Sequence, residues 1–213
     1  MSISVLLVDD HKMLREGIKQ LLEFDHDIVV SDQASSVAEC KNLISKNKYD
    51  IVVLDVNLPD GSGIKMLPEL KKINKKVSFL ILTVHNEIEY LVEAMEYGAN
   101  GYILKDSGSS ELIKAIKSVF IGEKYIQADL IPAYNARLLK MESDVIKTKD
   151  ITKREKQILV NIALGKSNKD IADEFDISER TVKNHITSLF KKIGVTDRTQ
   201  AAVFAIRNNF VNI

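Results

Sequence analysis

Five short apolar runs, separated by stretches of helical spacing, constrain this chain before anything else does. They fall at residues 5–8, 28–30, 51–54, 79–82 and 102–104. Each is continuously apolar rather than alternating, which suits strands covered on both faces. Between them, Met13, Ile18, Leu21 and Leu22, and later Leu91, Ala94 and Met95, recur at helical intervals. Ser36 and Glu39 have capping-box spacing and open the second helix. Short strands alternating with helices predict a doubly wound α/β domain with a parallel sheet. A ligand of such a sheet sits outside the carboxyl ends of its strands.

Beyond residue 121 the pattern changes. Gly122, Pro132 and a polar stretch at residues 142–149 interrupt the periodicity. Residues 122–147 read as a linker, with a helical piece around 133–141. Residues 148–213 show helical spacing only and predict a small all-α domain. Thr152 and Glu155 repeat the capping-box spacing, ahead of Ile158, Leu159 and Ile162, and Gly165 ends that helix. Three further helices follow at about 168–175, 178–193 and 198–209.

The chain is neutral as a whole, but its halves are not. Residues 1–130 carry 15 Lys/Arg and 20 Asp/Glu, a net −5, and residues 131–213 carry 15 and 10, a net +5. A basic second half points to nucleic acid. The longest apolar runs fall far short of the ~20 residues of a membrane span. The first residues, Met1 to Val5, have no basic region of the kind that opens a signal peptide. A soluble, cytoplasmic protein with no membrane partner is expected. Cys40 is the only cysteine, so no internal disulfide forms, and it reads as a structural residue.

The polar residues at the strand ends carry the chemistry. Asp9 and Asp10 end the first strand, Asp55 the third, Thr83 the fourth and Lys105 the fifth. A doubly wound sheet brings these ends to one edge. Three carboxylates held together repel one another unless a hard cation neutralises them, and an all-oxygen set suits Mg²⁺. A carboxylate is also a nucleophile toward phosphorus. Lys105 and Thr83 are placed to meet the oxygens of a transferred phosphoryl group. His85, nearby, reads as an ordinary loop histidine.

The segments Val5-Leu-Leu-Val-Asp9-Asp10-His11, Val53-Leu-Asp55-Val-Asn57-Leu-Pro59-Asp-Gly61, Leu82-Thr83 and Gly101-Tyr102-Ile-Leu-Lys105 resemble the receiver domain of bacterial response regulators. The resemblance covers residues 1–121 and implies a flavodoxin-like, five-stranded sheet in the order 2-1-3-4-5. It implies that Asp55 accepts a phosphoryl group from a sensor histidine kinase. It further implies that Asp9, Asp10, Asp55 and the backbone carbonyl of Asn57 hold Mg²⁺, with Asp9 acting largely through water. Thr83 and Lys105 would meet the phosphoryl group, and Tyr102 would be an aromatic switch residue. Val84 and Asp106 depart from the commonest receiver pattern. An enzyme with an aspartyl nucleophile is the rival. Asn57 stands where many such phosphatases place a second Asp, and no Walker-type run exists. At most, slow dephosphorylation of Asp55 is expected.

In the second half, residues 167–186 read as helix, tight turn, helix. Ser178 is an N-cap, and Val182, Ile186, Leu189 and Ile193 form a core-facing stripe. Lys183, Thr187 and Lys191, with Asn184 beside them, form a polar stripe suited to base edges and phosphates. Thr152-Lys-Arg-Glu155, Gly165-Lys-Ser-Asn168-Lys-Asp-Ile-Ala172, Ser178-Glu-Arg-Thr-Val-Lys-Asn-His185 and residues 192–201 resemble the LuxR-type helix-turn-helix. Joined to a receiver, this resembles the NarL/FixJ family. The resemblance implies that Lys183, Asn184 and Thr187 face bases of double-stranded promoter DNA, and that Lys169, Thr181 and Lys191 meet phosphates. It also implies a homodimer on DNA, through a last helix carrying Ala202, Val203, Ala205 and Ile206. RNA polymerase is a further partner in keeping with it.

Overall fold

The structure, a computed structural model, describes residues 2–211, and the side chains of all of these but residues 144–146. Met1 and residues 212–213, at the ends of the two expected domains, lie outside the described residues, as do the side chains of 144–146 in the expected linker. The chain divides into two compact units, Met1–Asn135 and Ala136–Ile213. The division falls inside the stretch read as a linker.

The first unit alternates strands and helices: β1 (Ile3–Val8), α1 (Lys12–Glu23), β2 (Ile28–Ala34), α2 (Val37–Lys46) and β3 (Ile51–Leu54). A two-residue hairpin, β4 (Asn57–Leu58) and β5 (Gly61–Ser62), precedes α3 (Gly63–Ile73). Next come β6 (Ser78–Thr83), α4 (Ile88–Glu96), β7 (Gly101–Leu104), α5 (Ser109–Phe120) and β8 (Tyr125–Ile126). The main sheet has the order β2-β1-β3-β6-β7-β8, with every pair parallel. The five expected strands stand in the expected order, and β8 adds a sixth at the edge. There Tyr125 N–H donates to the Asn100 carbonyl (3.0 Å) and Gln127 N–H to the Tyr102 carbonyl (3.1 Å). Two half-buried residues are too short a strand to leave a periodic signal, so the sequence shows only linker there.

Continuous apolar runs arise because both faces of the sheet are covered. Leu6, Val8, Val52, Leu54, Phe79 and Ile81 pack into a core with α2, α3 and α4. Their neighbours Val5, Leu7, Ile51, Val53, Leu80 and Leu82 pack into a second core with α1 and α5. Cys40 is fully buried in the first, and burial pushes its thiol up to about 12, which leaves it unreactive. Ser36 caps α2 as its spacing predicts, accepting from the Glu39 N–H. The reciprocal half of the box is absent, because Glu39 Oε2 accepts from the N–H and hydroxyl of Ser35 instead.

A long helix, α6 (Ile131–Lys149), follows a 3-10 turn at Ala128–Leu130. It outruns the expected piece at 133–141 at both ends. Pro132 lies in its first turn, where a missing N–H breaks no helical bond. The second unit then holds α7 (Lys153–Ala163), α8 (Asn168–Phe175), α9 (Glu179–Ile193) and α10 (Arg198–Arg207) around one apolar core. No helix among the described residues is long and apolar enough to cross a membrane.

Candidate functional site

The strand ends converge as the topology requires. Lys105 Nζ lies 2.7 Å from Asp55 Oδ2 and 2.7 Å from Asp9 Oδ2. Asp9, Asp55 and Thr83 are buried, whereas Asp10 is exposed at the rim. Asp55 is fixed by its backbone, which donates to the Val8 carbonyl at 2.9 Å, and its Oδ1 accepts from the Val56 N–H at 2.7 Å. Burial pushes the Asp55 carboxyl above the ordinary carboxylate range, against the pull of Lys105. Burial also opposes the charge of Lys105, but the two carboxylates outweigh it and hold its ammonium group above the usual lysine value. Lys105 is therefore a firmly fixed cation.

One ammonium group does not balance these carboxylates. Asp9 Oδ2 is buried, and the Lys105 ammonium group 2.7 Å away is shared with Asp55. Ligand atoms of Asp9, Asp10, His11 and Asp55 all lie within 4.8 Å of one another. Buried carboxylates that share a single ammonium group inside such a cluster fit a divalent cation with oxygen ligands. His11 is the one member from outside the expected set. Its Nδ1 is 2.7 Å from Asp10 Oδ1, and its N–H donates to Asp9 Oδ1 at 2.8 Å. The Arg15 guanidinium donates to the Asp9 backbone carbonyl.

The other expected residues join through His85. Thr83 Oγ1 accepts from the His85 N–H at 3.3 Å. The buried Tyr102 hydroxyl donates to the His85 carbonyl at 2.8 Å. The His85 ring stacks on Tyr90 with centroids 4.2 Å apart, and its Nε2 is 2.9 Å from Asn57 Nδ2. Asn57 is an amide donor there, so Nε2 accepts. A residue read as an ordinary loop histidine thus connects Asn57, Thr83 and Tyr102. Val84, beside it, is largely exposed.

Gly63 was also missed. A Cβ there would overlap the Asp55 carbonyl oxygen and lie 3.1 Å from Leu54 Cγ. Only glycine lets α3 begin this close to Asp55. Gly63→Ala is expected to destabilise the first unit by about 3 kcal/mol through overpacking. Urea unfolding of the full chain checks this, and an unchanged first-unit midpoint would contradict it.

In the second unit, Thr152 and Glu155 close a full capping box. The turn between α8 and α9 passes through Asp176 in the left-handed region (φ 51°), and Ser178 caps α9 by accepting from the Thr181 N–H. Val182, Leu189 and Ile193 are buried and Ile186 packs against them, as the stripe predicts. Lys183, Asn184 and Lys191 are exposed on the opposite face, without a side-chain hydrogen bond or ion pair among the described residues. Lys169 is exposed on α8. Thr187 is exposed too, but its hydroxyl donates to the Lys183 carbonyl at 2.9 Å, which leaves a methyl group and acceptor lone pairs outward. Thr181 is half-buried, with Oγ1 2.9 Å from Ser178 Oγ. On α10, Val203 and Ile206 are exposed, but Ala205 is fully buried and belongs to the core rather than to any outer face.

Residues 5–117 match the response regulator receiver domain, and residues 149–205 match the bacterial regulatory proteins of the luxR family. The chain is 37% identical over 203 residues to the DNA-binding transcriptional activator DevR/DosR of Mycobacterium tuberculosis, covering 95% of this chain and 94% of that one. It is 37% identical over 205 residues to the nitrate/nitrite response regulator NarL of Escherichia coli, covering 94% of each. Among solved structures, it is similar to the response regulator ChrA of a heme-sensing two-component system, with a TM-score of 0.52, 31% identity and 99% of each chain covered. With a receiver domain ahead of a LuxR-type helix-turn-helix, the chain belongs to the two-component response regulators of the NarL/FixJ family, which are DNA-binding transcriptional regulators.

Proposed function

We propose that Asp55 is the phosphoacceptor and that its phosphoryl group controls DNA binding by α8 and α9. The observation that carries this is the buried Asp55–Lys105–Asp9 arrangement, in which two carboxylates share one ammonium group at 2.7 Å each. Asp9, Asp10, Asp55 and the Asn57 backbone carbonyl would hold Mg²⁺. When bound, Mg²⁺ screens the carboxylates from the negative oxygens of an incoming phosphoryl group. An Asp55 oxygen attacks phosphorus as the bond to the histidine of a sensor kinase breaks, and the result is an aspartyl-phosphate. Lys105 then has a phosphoryl oxygen to pair with. Thr83 accepts one hydrogen bond from the His85 N–H and keeps its own proton for the phosphoryl group. Movement of Thr83 pulls on His85, and so on the Tyr102 hydroxyl bound to the His85 carbonyl. Tyr102 is the switch residue in this reading. The only turnover expected is slow hydrolysis of the aspartyl-phosphate.

On the DNA side, Lys183, Asn184 and Thr187 face base edges, while Lys169, Thr181 and Lys191 meet phosphates. Val203 and Ile206 of α10 pair two copies on promoter DNA, with half-sites about one helical turn apart or a multiple of it. The protein acts in the cytoplasm, with RNA polymerase as its downstream partner.

Incubating the full chain with acetyl phosphate and Mg²⁺ tests the core of this. Intact-mass analysis should show one added phosphoryl group, mapped by peptide analysis to Asp55, and affinity for promoter DNA should rise. Attachment elsewhere, or an unchanged affinity, sinks it. The DNA contacts separate by salt. Lys191→Ala should weaken all sequences alike and reduce the salt slope by about one, whereas Lys183→Ala should relax base preference at one position by roughly 1–3 kcal/mol. Binding titrations over a salt series distinguish the two.

A further inference from the structure

Half-buried lysines in this chain are mostly met by carboxylates. Lys19, Lys41, Lys117, Lys166 and Lys192 are half-buried, and each ammonium group lies 2.6–3.7 Å from an Asp or Glu oxygen. Lys71, in the last turn of α3, is half-buried as well. Its ammonium group has no ion pair and no hydrogen bond among the described residues. The side chain lies instead along Gly98, just past the end of α4. Beyond the chain neighbours of Gly98, the three atoms nearest to where its Cβ would lie are Lys71 Nζ at 2.7 Å, Cε at 3.3 Å and Cδ at 3.5 Å. Gly98 has a φ of 92°, a region that favours glycine, and the lysine fills the space that its missing side chain leaves.

Two effects act against a positive charge on that amine. Burial strips water from it, and the ammonium group of Lys124, in the turn after α5, repels it. Together they hold the Lys71 amine below the ordinary lysine value, whereas Lys117, beside Asp25 and Asp27, is held above it. A larger share of Lys71 is therefore uncharged, and an uncharged lysine amine is a nucleophile. The Lys124 charge that disfavours a cation here favours an anion. The carboxyl end of α3 has the opposite preference. The two effects are of similar size, so an anion at Lys71 depends on Lys124.

We propose that Lys71 is a carbamylation site that takes up carbon dioxide. The amine nitrogen attacks the carbon of CO₂. A C–N bond forms, one C–O π bond gives its electron pair to oxygen, and the nitrogen then gives one proton to water. The product is a carbamate on Nζ, and the step needs no oxidant, reductant or leaving group. Lys71 changes from cation to anion, and its repulsion of Lys124 becomes an attraction. The site uses no residue of the Asp55 cluster and does not rest on the reading of Asp55.

Equilibrating the full chain with isotope-labelled bicarbonate and CO₂ tests this. A trialkyloxonium salt fixes any carbamate as a stable ester, and peptide mass analysis locates it. The label should appear on Lys71 and be absent from Lys72, which is exposed in the same turn. A free amino terminus also reacts, since it loses its proton more readily than an ordinary lysine, and peptide mapping keeps it apart. Lys71→Arg should lose the internal label, because a guanidinium stays charged. Lys124→Ala should lower the occupancy of Lys71 by up to about fivefold, and Lys124→Arg, which keeps the charge, should restore it. Lys124→Glu should abolish the label, since it gives the ammonium form of Lys71 a partner and repels the carbamate. A labelled amino terminus with unlabelled Lys71 overturns the proposal. So does a label spread equally over Lys71 and Lys72, or a Lys124→Glu protein labelled at Lys71 as fully as the wild type.

Discussion

Asp55→Ala protein is expected to take up no phosphoryl group from acetyl phosphate and Mg²⁺, and to bind promoter DNA with the same affinity whether treated or not. The nucleophile is lost outright, since the neighbouring carboxylates are differently engaged: Asp9 faces Lys105, and Asp10 is at the rim with His11. A coupling between two sites is worth about 1–3 kcal/mol, so the lost response corresponds to roughly 5- to 150-fold in affinity. Misfolding is not the expected cause. Burial raises the Asp55 carboxyl above its value of 3.8, so ionising it costs more in the folded state than in the unfolded one. A raised carboxylate works against folding once pH passes the unfolded value, and at neutral pH its ionised form costs stability. Removing it should leave the first unit at least as stable as before. Thermal melts of the variant should show no loss of midpoint. Intact mass and DNA titration of both proteins, with and without phosphodonor, read the functional result. An equal gain of affinity in the variant would mean that the signal does not pass through Asp55.

The residues of this site were legible because their positions follow from topology. Asp9, Asp10, Asp55, Thr83 and Lys105 each end an apolar run, and parallel strands place such ends on one edge. The core stripe of α9 was legible for a similar reason, since helical period fixes which side chains face inward. What stayed hidden depends on partners rather than on period. Nothing in the residue types says that His85 gives its N–H to Thr83, its carbonyl to Tyr102 and its ring to Asn57 and Tyr90. Nor does the residue type say that the Asp55 carbonyl oxygen lies where a Cβ of Gly63 would be. The Thr187 hydroxyl was free on paper and is spent on its own helix. Strand β8 and the full length of α6 were missed because one is too short for a pattern and the other is only weakly amphipathic, with few apolar contacts.

In the second unit a large stability effect belongs to Glu155, which sequence singles out only as half of a capping box. Glu155 is 3% exposed and carries four bonds. Its Oε2 accepts from the Thr152 N–H (2.8 Å), the Thr152 hydroxyl (2.9 Å) and Lys192 Nζ (2.7 Å), and its Oε1 from the Ser188 hydroxyl (2.8 Å). One carboxylate thus caps α7 and ties it to α9, the helix that presents Lys183 and Asn184. Burial opposes its charge, but Lys192, Thr152 and Ser188 together outweigh that and hold it at about 2, against 4.5 for a free glutamate. A depressed folded value stabilises above the unfolded one, and that stability is lost as pH falls through the folded one. The contribution is complete above about pH 4.5 and gone below about pH 2, and it amounts to roughly 3 kcal/mol. That is a large share of what a small four-helix unit has to lose. Glu155→Ala should cost about this much at pH 7, and its stability should vary less than that of the wild type between pH 5 and pH 2. Lys192→Met should cost less, since its ammonium group is partly solvated, and combining the two should cost less than the sum of the separate losses. Amide exchange across α7 and α9 reads the second unit separately within the full chain. If Glu155→Ala leaves that exchange unchanged at pH 7, the carboxylate is not the tie between α7 and α9, and the orientation of α9 must come from the apolar core of Val182, Leu189 and Ile193 alone.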